Sequence, residues 1–198
     1  MNSGTRCAMR HRQTGGAPRA SFGRSMRGVA IVELALVLPV LLVLVLGVID
    51  FARAIQFNNI LVHMTREGAN LAARTTEEPS YILKALMDTA TPMEMNTDGM
   101  MYITQVMGDA SGNARLVAQY RPTSGGKLSL PSKLTTCNGG WSSGKCEPRG
   151  TAPIVPLPNG VRLNNGETVY AVESMYDYTL LTRFVIQSLP QLYSLTIL

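Results

Sequence analysis

Gly28, Val29 and Glu33 are the residues of this chain whose types and spacing could do chemistry together. Glu33 is the one charged residue between Val29 and Ile49, and it follows Val29 by four positions. In a helix that spacing puts an α-amino group on residue 29 one turn from the Glu33 carboxylate, on the same face. A carboxylate left alone near the end of a membrane helix costs about 2 to 3 kcal/mol, so it needs a partner. The run holds no basic residue. Cutting the chain between Gly28 and Val29 would create the missing cation. The same pair formed between neighbouring chains would set their axial register.

Cys137 and Cys146 are the second reactive pair. They enclose Asn138 to Lys145, a stretch with three glycines and two serines that is flexible enough to close. A disulfide there would contribute about 2 to 3 kcal/mol by the chain-entropy account. Zinc is the competing use of two thiols, and no histidine lies near them to complete a site. Six methionines from Met87 to Met107 could hold Cu(I) through their thioethers, or could fill an irregular junction between elements. Past the first 28 residues the one histidine is His63, so a Ser-His-Asp or Cys-His site would have to use it. Gly125 Gly126 Lys127 lacks the upstream glycine and the following Ser or Thr of a phosphate loop. The composition predicts no enzyme, no cofactor and no resident metal.

Charge is distributed unevenly. Of 18 Lys and Arg, six are arginines before Gly28, where no acid occurs; the other twelve face all 13 acids. The net charge of +5 therefore belongs to a leader, and nucleic-acid binding, which wants a basic patch on a folded domain, is not expected.

The elements that position these groups follow from hydropathy. Val29 to Ile49 is 21 residues, about 30 Å as a helix, which is the thickness of a bilayer's hydrocarbon core. Arginines before it and near-neutrality after it place the N-terminus in the cytoplasm and the rest outside. A signal peptide is disfavoured because Leu46 to Phe51 has no small-residue cleavage site, and a buried core helix by the length and the arginine flank. Pro39 lies within the run, where a membrane helix can absorb it. Past Asp50, the spacings of Phe51, Ala54, Ile55, Val62, Ala69 and Ala72 predict that the helix continues to about Arg74 with that face buried. Gly68, Ala69, Ala72 and Ala73 make its end narrow enough to pack closely on a sheet or a neighbouring helix.

The remainder reads as a small α+β domain. A second helix is expected from Glu77 to Thr89, then strands Met101 to Met107, Ala114 to Arg121 and Thr168 to Tyr178. Gly108 to Asn113 is dense in turn formers and makes the first two a hairpin. Residues 122–166 form a long loop, stapled by Cys137 and Cys146, with Trp141 either exposed as a contact or packed back on the domain. Cys7 in the leader accounts for the odd cysteine. Leu180 to Leu198 is apolar but interrupted by Arg183, Gln187 and Pro190, so it is expected to pack on the domain or lie at the membrane surface. The domain plan is thus 1–28 leader, 29–49 membrane helix, 50–75 its extension and 76–198 extracytoplasmic domain.

The run Gly28 to Pro39 (GVAIVELALVLP), then Gly47 to Arg53 (GVIDFAR) and Thr65 to Ala69 (TREGA), resembles the TadE-like minor pseudopilins of the tight-adherence (Tad/Flp) pilus system, within the type IV pilin class. Leu34 stands where major pilins of that system carry an aromatic, which points away from the major fibre subunit. The resemblance implies a pilin-like fold, with a long membrane-spanning helix packed on a small antiparallel sheet. It implies a place in the bacterial inner membrane with the C-terminal domain periplasmic or extracellular. It further implies cleavage after Gly28 by a prepilin peptidase, and hetero-oligomers with other pseudopilins or pilus assembly proteins. The alternative is a single-pass adhesion or envelope scaffold module that keeps its leader.

Overall fold

The structure is a computed structural model that describes residues 25–181 and 191–198, with side chains from residue 28 onward. Residues 1–24 of the leader, with Cys7, and Arg183, Gln187 and Pro190 of the C-terminal stretch lie outside the described residues, whereas Ser25 to Gly28 already belong to α1. Helix α1 (Ser25–Arg74) contains Pro39 and ends where the sequence pattern runs out. Contacts divide the chain into two units, residues 1–43 and 44–198.

In the first unit the helix from Gly28 to Val43 presents Val29, Ile31, Leu34, Leu36, Val40 and their neighbours outward, as a helix facing lipid must. Among the described residues α1, from Gly28 on, is the one helix long and apolar enough to cross a membrane.

The second unit is an α+β domain built on a six-stranded antiparallel sheet. Its helices are the rest of α1, α2 (Pro79–Asp88) and the single turn α3 (Met95–Asp98). Its strands are β1 (Gly99–Gly108), β2 (Ala114–Tyr120), β3 (Trp141–Ser142), β4 (Lys145–Cys146), β5 (Thr168–Tyr176) and β6 (Leu192–Ile197), in spatial order β3-β4-β2-β1-β5-β6. β1 and β2 form the expected hairpin, with a bulge at Gln105/Val106, and β5 lies along the other side of β1 in continuous register from Gly99↔Tyr176 to Met107↔Thr168.

Three strands were not expected from the sequence. β6 pairs with β5 over its whole length, so the C-terminal apolar stretch ends as a sheet strand and not as a surface segment. β3 and β4 are two-residue strands joined by Ser143 and Gly144, both at positive φ, the tight turn that favours glycine. Two residues per strand are too few to leave an alternating pattern.

Both faces of the sheet are covered, so the alternation in β1 separates two cores and not core from water. On one face Met101, Ile103, Val172 and Tyr176 meet Phe57, Leu61, Met64, Ala69 and Ala72 of α1 and Leu83 and Met87 of α2. Phe57 touches Tyr176 and Tyr178 edge-on, with ring centroids 5.5 and 5.4 Å apart. On the other face Val106, Leu116 and Ala171 meet Leu134, Val155 and Leu157 from the long loop.

The expected face of α1 holds in part: Ala69 and Ala72 are buried and Ala54 packs on the core, but Phe51 and Ile55 are exposed, and Phe57, Leu61, Met64 and Gly68 complete the row against the sheet. Helix α2 starts at Pro79, so Glu77 and Glu78 precede it; Glu78 is the N-cap residue but makes no side-chain capping bond.

Candidate functional site

The residues singled out for processing lie on one stripe of the helix: Gly28, Val29, Val32, Glu33 and Leu36 line a common shallow surface. Glu33 is exposed and makes no ion pair among the described residues. A side chain at Gly28 would meet nothing within 4 Å. Glycine inside a helix is about 0.5–1 kcal/mol worse than alanine, so Gly28 carries a helix cost that packing among the described residues does not require.

Where the helix passes into the second unit, Asp50 is buried, 2% exposed, and accepts a 2.9 Å bond at Oδ1 from the Leu181 N–H. Its backbone carbonyl accepts the Tyr178 hydroxyl at 3.1 Å. Burial, and then the Asp50 carboxylate, push the Tyr178 hydroxyl above its ordinary pKa, with Arg53 acting in the opposite sense. One further tie holds the helix to the last strand, for Thr65 Oγ1 is 3.0 Å from both Ser194 Oγ and Thr196 Oγ1. At Gly68 α1 lies close to both α2 and β5: a Cβ there would stand 3.2 Å from Leu86 Cδ1 and 3.2 Å from Val172 Cγ1. The narrow end of the helix thus does what its composition suggested.

The loop after β2 is a built structure. Cys137 and Cys146 form the expected disulfide, with Cα atoms 6.3 Å apart. Glu173, on the loop-covered face of β5, is 0% exposed and accepts the Lys133 N–H at 3.0 Å, the Leu134 N–H at 2.9 Å, the Tyr193 hydroxyl at 2.9 Å and the Ser132 hydroxyl. Gln119 donates to the Thr135 carbonyl at 3.0 Å and accepts the Cys137 N–H at 3.2 Å. These polar groups were not singled out in the sequence; the signal was present as a Glu and a Gln inside strands whose neighbours are apolar. Trp141 packs back on its own domain, half-buried, under the Arg121 guanidinium at 4.3 Å from the ring centre and beside Tyr102.

Met87, Met93, Met95, Met100 and Met101 are buried among core residues and Met107 is exposed, so the row fills the junction around α2, α3 and β1. His63 is exposed on α1. Among the described residues no group of three or more His, Cys, Asp or Glu converges as a metal site.

The model of the TadE-like protein family matches residues 28–70, which takes in Gly28, Glu33, Asp50 and Gly68. No curated protein and no solved structure matches the chain.

Proposed function

We propose that this TadE-like protein of the Tad pilus system is a membrane-anchored pseudopilin that a prepilin peptidase cuts between Gly28 and Val29 before it takes part in pilus assembly. The observation that carries the reading is the placement of Glu33: an exposed carboxylate in the otherwise apolar run from Val29 to Ile49, one turn beyond Val29 and on its face. The new α-amino group of Val29 would supply the cation, within the same chain or in a neighbour. The Gly28–Val29 bond lies within the first turns of α1, so cutting it requires the helix to unwind there, which glycine favours.

The chain is the peptidase's substrate and performs no catalysis itself. Its N-terminus lies in the cytoplasm of the bacterial inner membrane, and residues 50–198 lie outside, where an oxidising compartment would form Cys137–Cys146. Its partners are related pseudopilins and pilus assembly proteins, which the exposed apolar face of the membrane helix suits by shape.

Intact mass of the protein from its native membrane tests this reading. A chain starting at Val29, and retention of residues 1–28 when Gly28 is replaced by a bulky residue, support it. A chain that keeps its leader in the presence of the peptidase favours the anchored scaffold instead.

A further inference from the structure

Between the end of α1 and α2 runs an open groove, with Ile82 and Leu86 at its base and Leu71 and Tyr81 along its sides. Both are open to solvent, Tyr81 63% exposed and Leu71 36%, so the groove presents apolar surface from two elements. Two carboxylates, Glu67 and Glu77, border the groove, and no basic residue lines it. Among the described residues neither carboxylate has an ion pair. An apolar trough with an acidic rim suits a cation on a long hydrocarbon stem, whose methylenes cover the apolar walls while the charged head meets the rim.

The chain carries such a group at the same level. Arg66 is exposed, has no ion pair among the described residues and does not line the groove. It precedes Glu67 by one residue, so the two side chains leave the helix about 100° apart in azimuth and about 1.5 Å apart along the axis. Copies of one chain insert into a membrane in the same orientation. Side by side, they bring Arg66 of one to the height of Glu67 of the next with almost no axial shift.

We infer that the groove receives Arg66 of a second copy, its stem across Leu71 and Tyr81 and its guanidinium between Glu67 and Glu77. Because the groove and Arg66 lie on different flanks of α1, the contact is head-to-tail and can repeat from copy to copy. This rests on the membrane-anchored pseudopilin reading only through the shared orientation of the copies; it does not require cleavage after Gly28.

The test places p-benzoylphenylalanine at Tyr81 in the full chain, in membranes that also contain a differently tagged copy with an unaltered Tyr81. Illumination should give an adduct of two copies whose link maps to the peptide around Arg66. Combining Glu67→Lys with Glu77→Lys on the probe-bearing copy should lower the yield at least tenfold, and Arg66→Glu on the other copy should restore it. Formation of Cys137–Cys146 in each variant reports that the domain has folded. An adduct with a different protein, a link to another surface of the second copy, or no adduct in a folded, membrane-bound chain overturns the inference. So does a yield that the double charge reversal leaves unchanged. The mass of the adduct also shows whether each copy begins at Val29, so loss of this contact and loss of processing are read separately.

Discussion

The hydroxyl of Tyr178 donates to the backbone carbonyl of Asp50 at 3.1 Å, tying the residue that closes the apolar run to the segment that follows β5. The Asp50 carboxylate reinforces the tie by accepting the Leu181 N–H. Tyr178→Phe should cost about 1 kcal/mol, the net worth of one hydrogen bond, whereas Asp50→Ala strands the Leu181 N–H and should cost about 1–3 kcal/mol. Denaturant unfolding of the detergent-solubilised protein measures both, and equal, negligible losses would show that the tie contributes little.

Gly68 should tolerate little. Gly68→Ala asks Leu86 and Val172 to yield by a few tenths of an ångström, but Gly68→Leu must push α1 off α2 and β5. Overpacking of this kind costs about 1–3 kcal/mol, so the leucine variant should lower the midpoint of unfolding clearly and the alanine variant slightly. Leucine and alanine variants of equal stability would contradict the close approach.

The Glu173 carboxylate should govern access to the long loop. Glu173→Ala leaves the Lys133 and Leu134 N–H groups and the Tyr193 hydroxyl without their acceptor, and residues 122–166 should become the first site of cleavage in limited proteolysis. Reducing Cys137–Cys146 should increase cleavage further, because the staple and the carboxylate hold different parts of the same segment. Unchanged cleavage in Glu173→Ala would assign the hold to the apolar core alone.

Five tyrosines make the domain sensitive to alkali. Burial raises the hydroxyl pKa of Tyr102, Tyr120, Tyr176, Tyr178 and Tyr193, and at Tyr193 the neighbouring Glu173 adds to it. The folded state then holds protons that the unfolded chain releases near pH 10. The stabilisation is complete below that pH and is lost as the pH rises from there through the folded-state values. Stability should therefore fall steeply above about pH 10, with tyrosinate absorbance appearing together with unfolding. Tyrosinate that forms fully while the fold persists would contradict this.

How far the sequence disclosed the structure depends on the range of the interactions involved. The α1 helix to Arg74, the β1–β2 hairpin, β5 and the disulfide follow from local patterns: periodicity, turn formers, and two cysteines around glycines. The missed strands are set by distant partners. β6 reads as one more apolar stretch until β5 is beside it, and β3 and β4 exist because Cys146 pairs with Gln119 and Trp141. Phe51 and Ile55 seemed to belong to the buried face because their spacing suits a helix, yet the sheet selects the row through Phe57 and Leu61. At the processing site the situation is reversed. Gly28 and Glu33 stand out in the sequence by type and spacing, and the structure adds that neither has a packing or pairing role in the described chain.

If cutting after Gly28 makes the amine that pairs with Glu33, the mature chain carries no leader. The most direct measurement is the intact mass and N-terminal sequence of the protein isolated from its native membrane with the prepilin peptidase present. The chain should begin at Val29. A mature chain that still carries residues 1–28 would contradict it.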